Sequence, residues 1–119
     1  MNILLIEDDE ATREMIIGVL KRLGPDIEIE VTENGDEALA HYFERRHDLV
    51  ITDNTHPGMG GIELIEAIVS KHPLQRFILQ TGNSGEHIAS FRQQHPDIPL
   101  LPKPYQLPHL LDLVKAVAG

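Results

Sequence analysis

Five short aliphatic segments alternate with five stretches of helical periodicity, and that alternation limits the folds open to this chain more than any other feature. The segments are NILLI (2–6), IEIEV (27–31), DLVIT (48–52), RFILQ (76–80) and IPLL (98–101). The first four are short and rich in branched residues, as strands require. The fifth is the weakest, because Pro99 cannot donate to a ladder and belongs at an edge or a strand start. Between them, Ala11, Met15, Ile16, Val19, Leu20 and Leu23 fall on one helical face, with LGP at 23–25 as the stop. Ala38, Leu39, Tyr42 and Phe43 mark a second helix, and Ile62, Ile65, Ile68 and Val69 a third. Leu107, Leu110, Leu111, Val114 and Val117 mark the last. The stretch 84–94 has only Ile88 and Phe91 as main apolar residues, so its helix is expected to be loosely held.

Strictly alternating strand–helix units predict an α/β fold, a parallel sheet covered by helices on both faces. Near-continuous apolar strands such as ILLI fit burial on both sides. Right-handed crossovers and a reversal of strand order place the functional crevice of such a sheet at the carboxyl ends of its strands. No repeat, linker or low-complexity segment interrupts the pattern, so one domain over 1–119 is expected.

Composition narrows the function. With 41% hydrophobic and 24% charged residues the chain is an ordinary globule. No apolar run approaches the roughly 20 residues of a membrane span, and Met1 leads into a strand without a signal-peptide pattern, so a cytoplasmic protein is expected. The absence of cysteine excludes disulfides, thiolate metal sites and thiol catalysis. A net charge of −9 argues against direct nucleic-acid binding, which needs clustered Lys and Arg. The seven histidines are scattered, without an HExxH-type pair, and read as mostly surface residues.

Chemistry gathers at the strand ends. Glu7, Asp8, Asp9 and Glu10 follow the first strand, Asp53 the third, Thr81 the fourth and Lys103 the fifth. If the fold is right, carboxylates far apart in sequence converge on one edge, where they repel and raise one another's pKa. A divalent cation relieves this, and hard oxygen ligands suit Mg²⁺, which typically takes one or two carboxylates while also holding a phosphoryl group. A carboxylate is also a nucleophile toward phosphorus, with a lysine and a hydroxyl to complete the cradle. Each residue has a plainer reading as well. Asp9 and Glu10 suit a helix start, Asp53 could be a turn acid before HPGMGG, Thr81 could begin a turn, and Lys103 could be a solvated amine. Acid, acid, hydroxyl and amine on four separate strand ends are hard to assign to chance.

The stretches ILLIEDDE, DLVITDNTHPGMGGIEL, LQTG and LPKPY together resemble the receiver domain of two-component response regulators, over essentially the whole chain. The resemblance implies a flavodoxin-like, doubly wound five-stranded parallel sheet of order 2-1-3-4-5 with five helices. It implies Asp53 as phosphoacceptor, Asp8 as a direct Mg²⁺ ligand, Glu7 acting on the metal through water, and the backbone carbonyl of Thr55 as a further ligand. Thr81 would bond a phosphoryl oxygen, Lys103 would pair with the phosphoryl group, and the Lys103–Pro104 bond would be cis. The implied donor is a histidine kinase or histidine phosphotransfer protein, and the output a contact with a downstream protein. Such a domain catalyses only its own phosphorylation and dephosphorylation and is not otherwise an enzyme.

Departures from the family's common pattern are specific. Leu100 stands where an aromatic residue usually swings inward, so an aromatic rotamer switch is impossible there, and Tyr105 matches a separate aromatic position. Gly82 follows Thr81 in place of the usual alanine, His56 replaces an aliphatic residue and is expected to face water, and Gly60 replaces a frequent acid. These features resemble single-domain receivers and those of hybrid kinases. Two competing readings are a Mg²⁺-dependent phosphohydrolase with an aspartyl-phosphate intermediate and a phosphorylation-independent pseudo-receiver. The phosphohydrolase would need a second acid where Thr55 stands, and the complete set Glu7, Asp8, Asp53, Thr81 and Lys103 opposes decay.

Overall fold

The computed structural model describes residues 1–54, 58–82 and 86–118 of the chain. Strand β1 is Asn2–Ile6, β2 Glu28–Thr32, β3 Leu49–Asp53, β4 Arg76–Thr81 and β5 Leu100–Pro102. Helix α1 is Glu10–Leu20, α2 Gly35–Glu44, α3 Gly61–Val69, α4 Glu86–Gln94 and α5 Leu107–Ala118. Every neighbouring pair of strands is parallel, and the order is β2-β1-β3-β4-β5. The expected doubly wound sheet is therefore observed, with β2 to β4 displaced by one residue or extended toward the site edge. β5 begins after Pro99, whose carbonyl accepts from the Leu79 amide (3.1 Å), so proline sits at a sheet margin where its missing donor costs nothing.

The two-residue period of the strands builds two cores. Leu4, Ile6, Val50, Phe77 and Leu79 face one way and pack under α2, α3 and α4 through Ala38, Tyr42, Leu64, Ile65, Ile68, Ile88 and Phe91. Ile3, Leu5, Leu49, Ile51, Ile78 and Leu101 face the other way, against Ile16, Val19 and Leu20 of α1 and Leu110 and Val114 of α5. Helix α4 is thin in apolar residues, as its sequence shows, yet Ile88 and Phe91 are both buried.

Three expectations are corrected by packing. Met15 and Phe43, read as core-facing, are 53% and 42% exposed. Each lies roughly 100° around its helix from a buried neighbour, Ile16 or Tyr42, and so falls on the flank of the apolar stripe. His47, read as a surface residue, is buried. Its ring stacks on Tyr42 (centroids 6.1 Å apart), and its Nε2 lies 2.7 Å from Glu30 Oε1, while His41 Nδ1 lies 2.9 Å from the other Glu30 oxygen. The chain turns back beneath Tyr42 immediately after α2, and this carries the histidine inward.

The LGP stop forms as a 3-10 turn, Lys21–Leu23, closed by Gly24 at φ 137°. Truncating Phe77, which is fully buried, is expected to cost about 3–5 kcal/mol. Leu74→Ala, at a side chain 92% exposed, should stay within about 0.5 kcal/mol of wild type. Chemical denaturation of the two variants checks both values.

Candidate functional site

Because all five strands run the same way, their carboxyl ends share one edge, and the sequence-predicted residues meet there. Backbone pairing sets the alignment. Ile6 pairs with Thr52, and Asp53 pairs with Gln80, so Glu7, Asp53 and Gln80 follow one another across β1, β3 and β4. The Glu7 amide donates to the Thr32 carbonyl (3.1 Å) and the Lys103 amide to the Thr81 carbonyl (2.7 Å), which extends the ladder past the strands themselves.

Glu7, Asp53 and Thr81 are buried at this edge, whereas Asp8 is exposed. One oxygen from each of Glu7, Asp8 and Asp53 can be chosen so that all lie within 4.8 Å of one another. Lys103 reaches in from beyond β5, its Nζ 2.6 Å from Asp53 Oδ2 and 3.6 Å from Glu7 Oε1. Burial draws the Lys103 ammonium down, but the hydrogen bond to Asp53 and the charges of Asp53 and Glu7 outweigh it and hold its pKa above the usual lysine range. Burial pushes the Glu7 carboxyl up, opposed by the Asp9 amide (3.2 Å) and by Lys103. Glu7 Oε1 is buried and has no hydrogen-bond partner among the described residues.

The four acids after β1 divide by geometry. Asp9 caps α1, its Oδ2 accepting from the Thr12 amide (2.8 Å) and hydroxyl (2.6 Å), and these bonds hold its carboxyl below the usual range. Glu10 opens the first turn of α1, where its charge complements the helix dipole. Glu7 and Asp8 remain for the cluster. An orphaned buried carboxylate oxygen beside two further carboxylates is what a bound cation would satisfy, and an all-oxygen donor set suits a hard ion. The expected carbonyl ligand, Thr55, and the neighbouring His56 lie outside the described residues. The Lys103–Pro104 bond is cis.

The described residues that lead into α3, 58–61, pack closely against their neighbours. Gly58 has φ 75°, and a side chain there would collide with Asn34 Oδ1 and Asp36 Oδ2 at the start of α2. Asp36 Oδ2 also accepts from the Met59 amide (3.2 Å). Gly60, in place of a frequent acid, leaves α3 without a side-chain cap. Gly61 brings α3 so near the end of β3 that a Cβ would overlap the Asp53 carbonyl. Gly82 is different, since a Cβ there meets nothing within 4 Å. Leu100 packs against the α2–α4 core and lines a cavity of about 270 Å³ with Thr81, Gly82, Ile88, Arg92, Pro102 and Lys103.

Two residues at this edge were not anticipated as a pair. Gln80 is fully buried beside Asp53, and the Tyr105 hydroxyl donates to its Oε1 at 2.6 Å. A glutamine at the inner end of an otherwise apolar strand, RFILQT, was the available signal. Burial first, then the charges of Glu7 and Asp53, push the Tyr105 phenol up to about 12.

A family model for the response regulator receiver domain matches residues 3–115. The chain belongs to that family. Among its relatives, the chemotaxis protein CheY of Listeria monocytogenes is 28% identical over 99% of this chain and 98% of its own. The DNA-binding transcriptional regulator NtrC of Salmonella typhimurium is 29% identical over 93% of this chain, which spans only 23% of that longer protein. The receiver domain of a signal transduction histidine kinase from Syntrophus aciditrophicus superposes with a TM-score of 0.86 at 26% identity, covering 98% of this chain and 89% of its own. No helix among the described residues is long and apolar enough to cross a membrane.

For this receiver domain, the burial of Glu7 has a definite sign. Its folded pKa lies above the unfolded value of 4.5, so the folded state holds the proton longer, and metal-free stability falls as pH rises from 4.5 through the folded pKa. Glu7→Gln should remove that fall and raise the metal-free melting midpoint at neutral pH. Differential scanning calorimetry across pH checks both. Gly61→Ala should destabilise by about 2 kcal/mol through the overlap with Asp53, and Gly82→Ala should be neutral to about 0.5 kcal/mol, as measured by urea unfolding.

Proposed function

We propose that residues 1–119 act as one receiver domain that accepts a phosphoryl group on Asp53 from a phosphohistidine of a histidine kinase or histidine phosphotransfer protein. The observation that carries this reading is the buried Asp53 carboxylate held 2.6 Å from Lys103 Nζ and clustered with Glu7 and Asp8. Glu7, Asp8, Asp53 and the Thr55 carbonyl would hold Mg²⁺, with Glu7 acting through water. When bound, Mg²⁺ neutralises charge on the transferring phosphoryl oxygens.

The chain's own groups have separate tasks. Lys103 fixes the Asp53 carboxylate before reaction, and its ammonium pairs with the incoming anion. A carboxylate oxygen of Asp53 attacks phosphorus, an O–P bond forms, and the donor's N–P bond breaks. Thr81 ends the adjacent strand and donates its hydroxyl to a phosphoryl oxygen. Its movement is taken up beside Leu100 and the 270 Å³ cavity rather than by an aromatic ring. Modification adds nearly two negative charges and shifts the populations of the surface formed by α4, β5 and α5, which changes affinity for a downstream protein.

Among the described residues, spaces of about 570 and 640 Å³ lie at the opposite, amino edge of the sheet, near Arg76, and the space lined by Thr81 and Lys103 is about 270 Å³. The reading implies a cytoplasmic protein that contacts neither membrane nor nucleic acid directly. Incubation with a small acyl phosphate and Mg²⁺ should label wild type and leave Asp53→Asn unlabelled in an acid-labile phosphate assay. Equal labelling of the variant would overturn the assignment.

A further inference from the structure

Gln80 is unexplained as a core residue. It is fully buried in β4, between Asp53 on one neighbouring strand and Leu101 on the other. Side chains alternate along a strand. Leu5, Ile51, Ile78 and Leu101 all face α1 and α5, which puts Glu7, Asp53 and Gln80 on that same face in adjacent positions.

The Gln80 amide is held at one end only. Tyr105 donates to Oε1 at 2.6 Å, while Nε2 is buried and has no acceptor among the described residues. A buried donor without an acceptor is a net cost to folding, whereas an apolar residue of the same shape would carry no such cost. A phenol is protonated at neutral pH, so the Tyr105 hydroxyl pins the oxygen end and leaves the nitrogen end as the donor. Glu7 shows a related deficit on the other side of Asp53, since its Oε1 accepts no hydrogen bond and has only the Lys103 ammonium at 3.6 Å. A cation satisfies the oxygen on the β1 side. The donor on the β4 side calls for an anion richer in acceptors than a carboxylate, and a phosphoryl group supplies three acceptor oxygens.

We propose that Gln80 is a binding residue for the phosphorylated form: its Nε2 donates to the phosphoryl-bearing Asp53 side chain while Tyr105 anchors its Oε1, coupling occupancy of the site to the β5–α5 connection. The coupling is reciprocal, because any partner that displaces Tyr105 weakens the same bond. The proposal rests on Asp53 being the phosphoacceptor.

The test uses beryllium fluoride with Mg²⁺ as the phosphoryl probe. In wild type, the side-chain amide resonances of Gln80, assigned by their loss in Gln80→Met, should shift as the probe saturates, together with the Tyr105 ring signals. Gln80→Met should bind the probe about tenfold more weakly, the weight of one hydrogen bond to a charged group, and Tyr105→Phe should weaken it by a smaller factor. The inference falls if Gln80→Met binds within about twofold of wild type, or if the Gln80 resonances stay fixed while signals around Asp53 move. The wild-type titration decides the matter even where a variant folds poorly. If wild type takes up no beryllium fluoride, the phosphoacceptor reading itself fails and this inference with it; binding that is lost in Asp53→Asn but unchanged in Gln80→Met overturns this inference alone.

Discussion

The ion pair between Lys103 and Asp53 lets the carboxyl edge of this sheet exist as observed. Glu7 and Asp53 are buried side by side with Asp8 close to them, and like charges at that spacing oppose folding. Lys103 touches the first two from across the sheet, at 3.6 Å and 2.6 Å. One ammonium against three carboxylates leaves a negative surplus, and burial adds to its cost by pushing the Glu7 carboxyl up. The site is thus under-neutralised in a way that favours cation binding, and the stability it forgoes is supplied by the two apolar layers beneath it.

Those layers fix where the charges sit. Because the inner strands β1, β3 and β4 are apolar on both faces, α1 and α5 cover one side and α2 to α4 the other, and the sheet has little freedom to shift register. A one-residue slip of β3 would turn Asp53 away from Glu7 and Gln80 and place Thr52 in the row. Gly61 adds to this constraint by admitting the α3 backbone against the Asp53 carbonyl. Receiver domains share their fold with many proteins of other function, and in this chain the function resides in a few side chains held in register by that packing.

Much of this was legible in the residues. Strand and helix periods differ, so alternating segments identified each element, and the rule that parallel strands end on one edge pointed to Glu7, Asp8, Asp53, Thr81 and Lys103. Asp9 and Glu10 were separable from the pair because a helix start needs a cap and an acid. Burial at the margins was less readable. Met15 and Phe43 lie on the flank of their stripes, where a few tens of degrees decide exposure, and His47 is buried by the return of the chain under Tyr42, which local sequence does not encode.

By itself the sequence determined the fold class, the order of elements and the chemical types at each strand end, because these follow from local periodicity and composition. Only the tertiary structure decided which groups touch. The reach of Lys103 to Asp53 across 50 residues, the Glu7 oxygen left without a hydrogen bond and the half-held amide of Gln80 under Tyr105 depend on strand register and on the closure of β5 beside β4. These are contacts between segments distant in sequence, and their distances are set by packing that no local pattern contains.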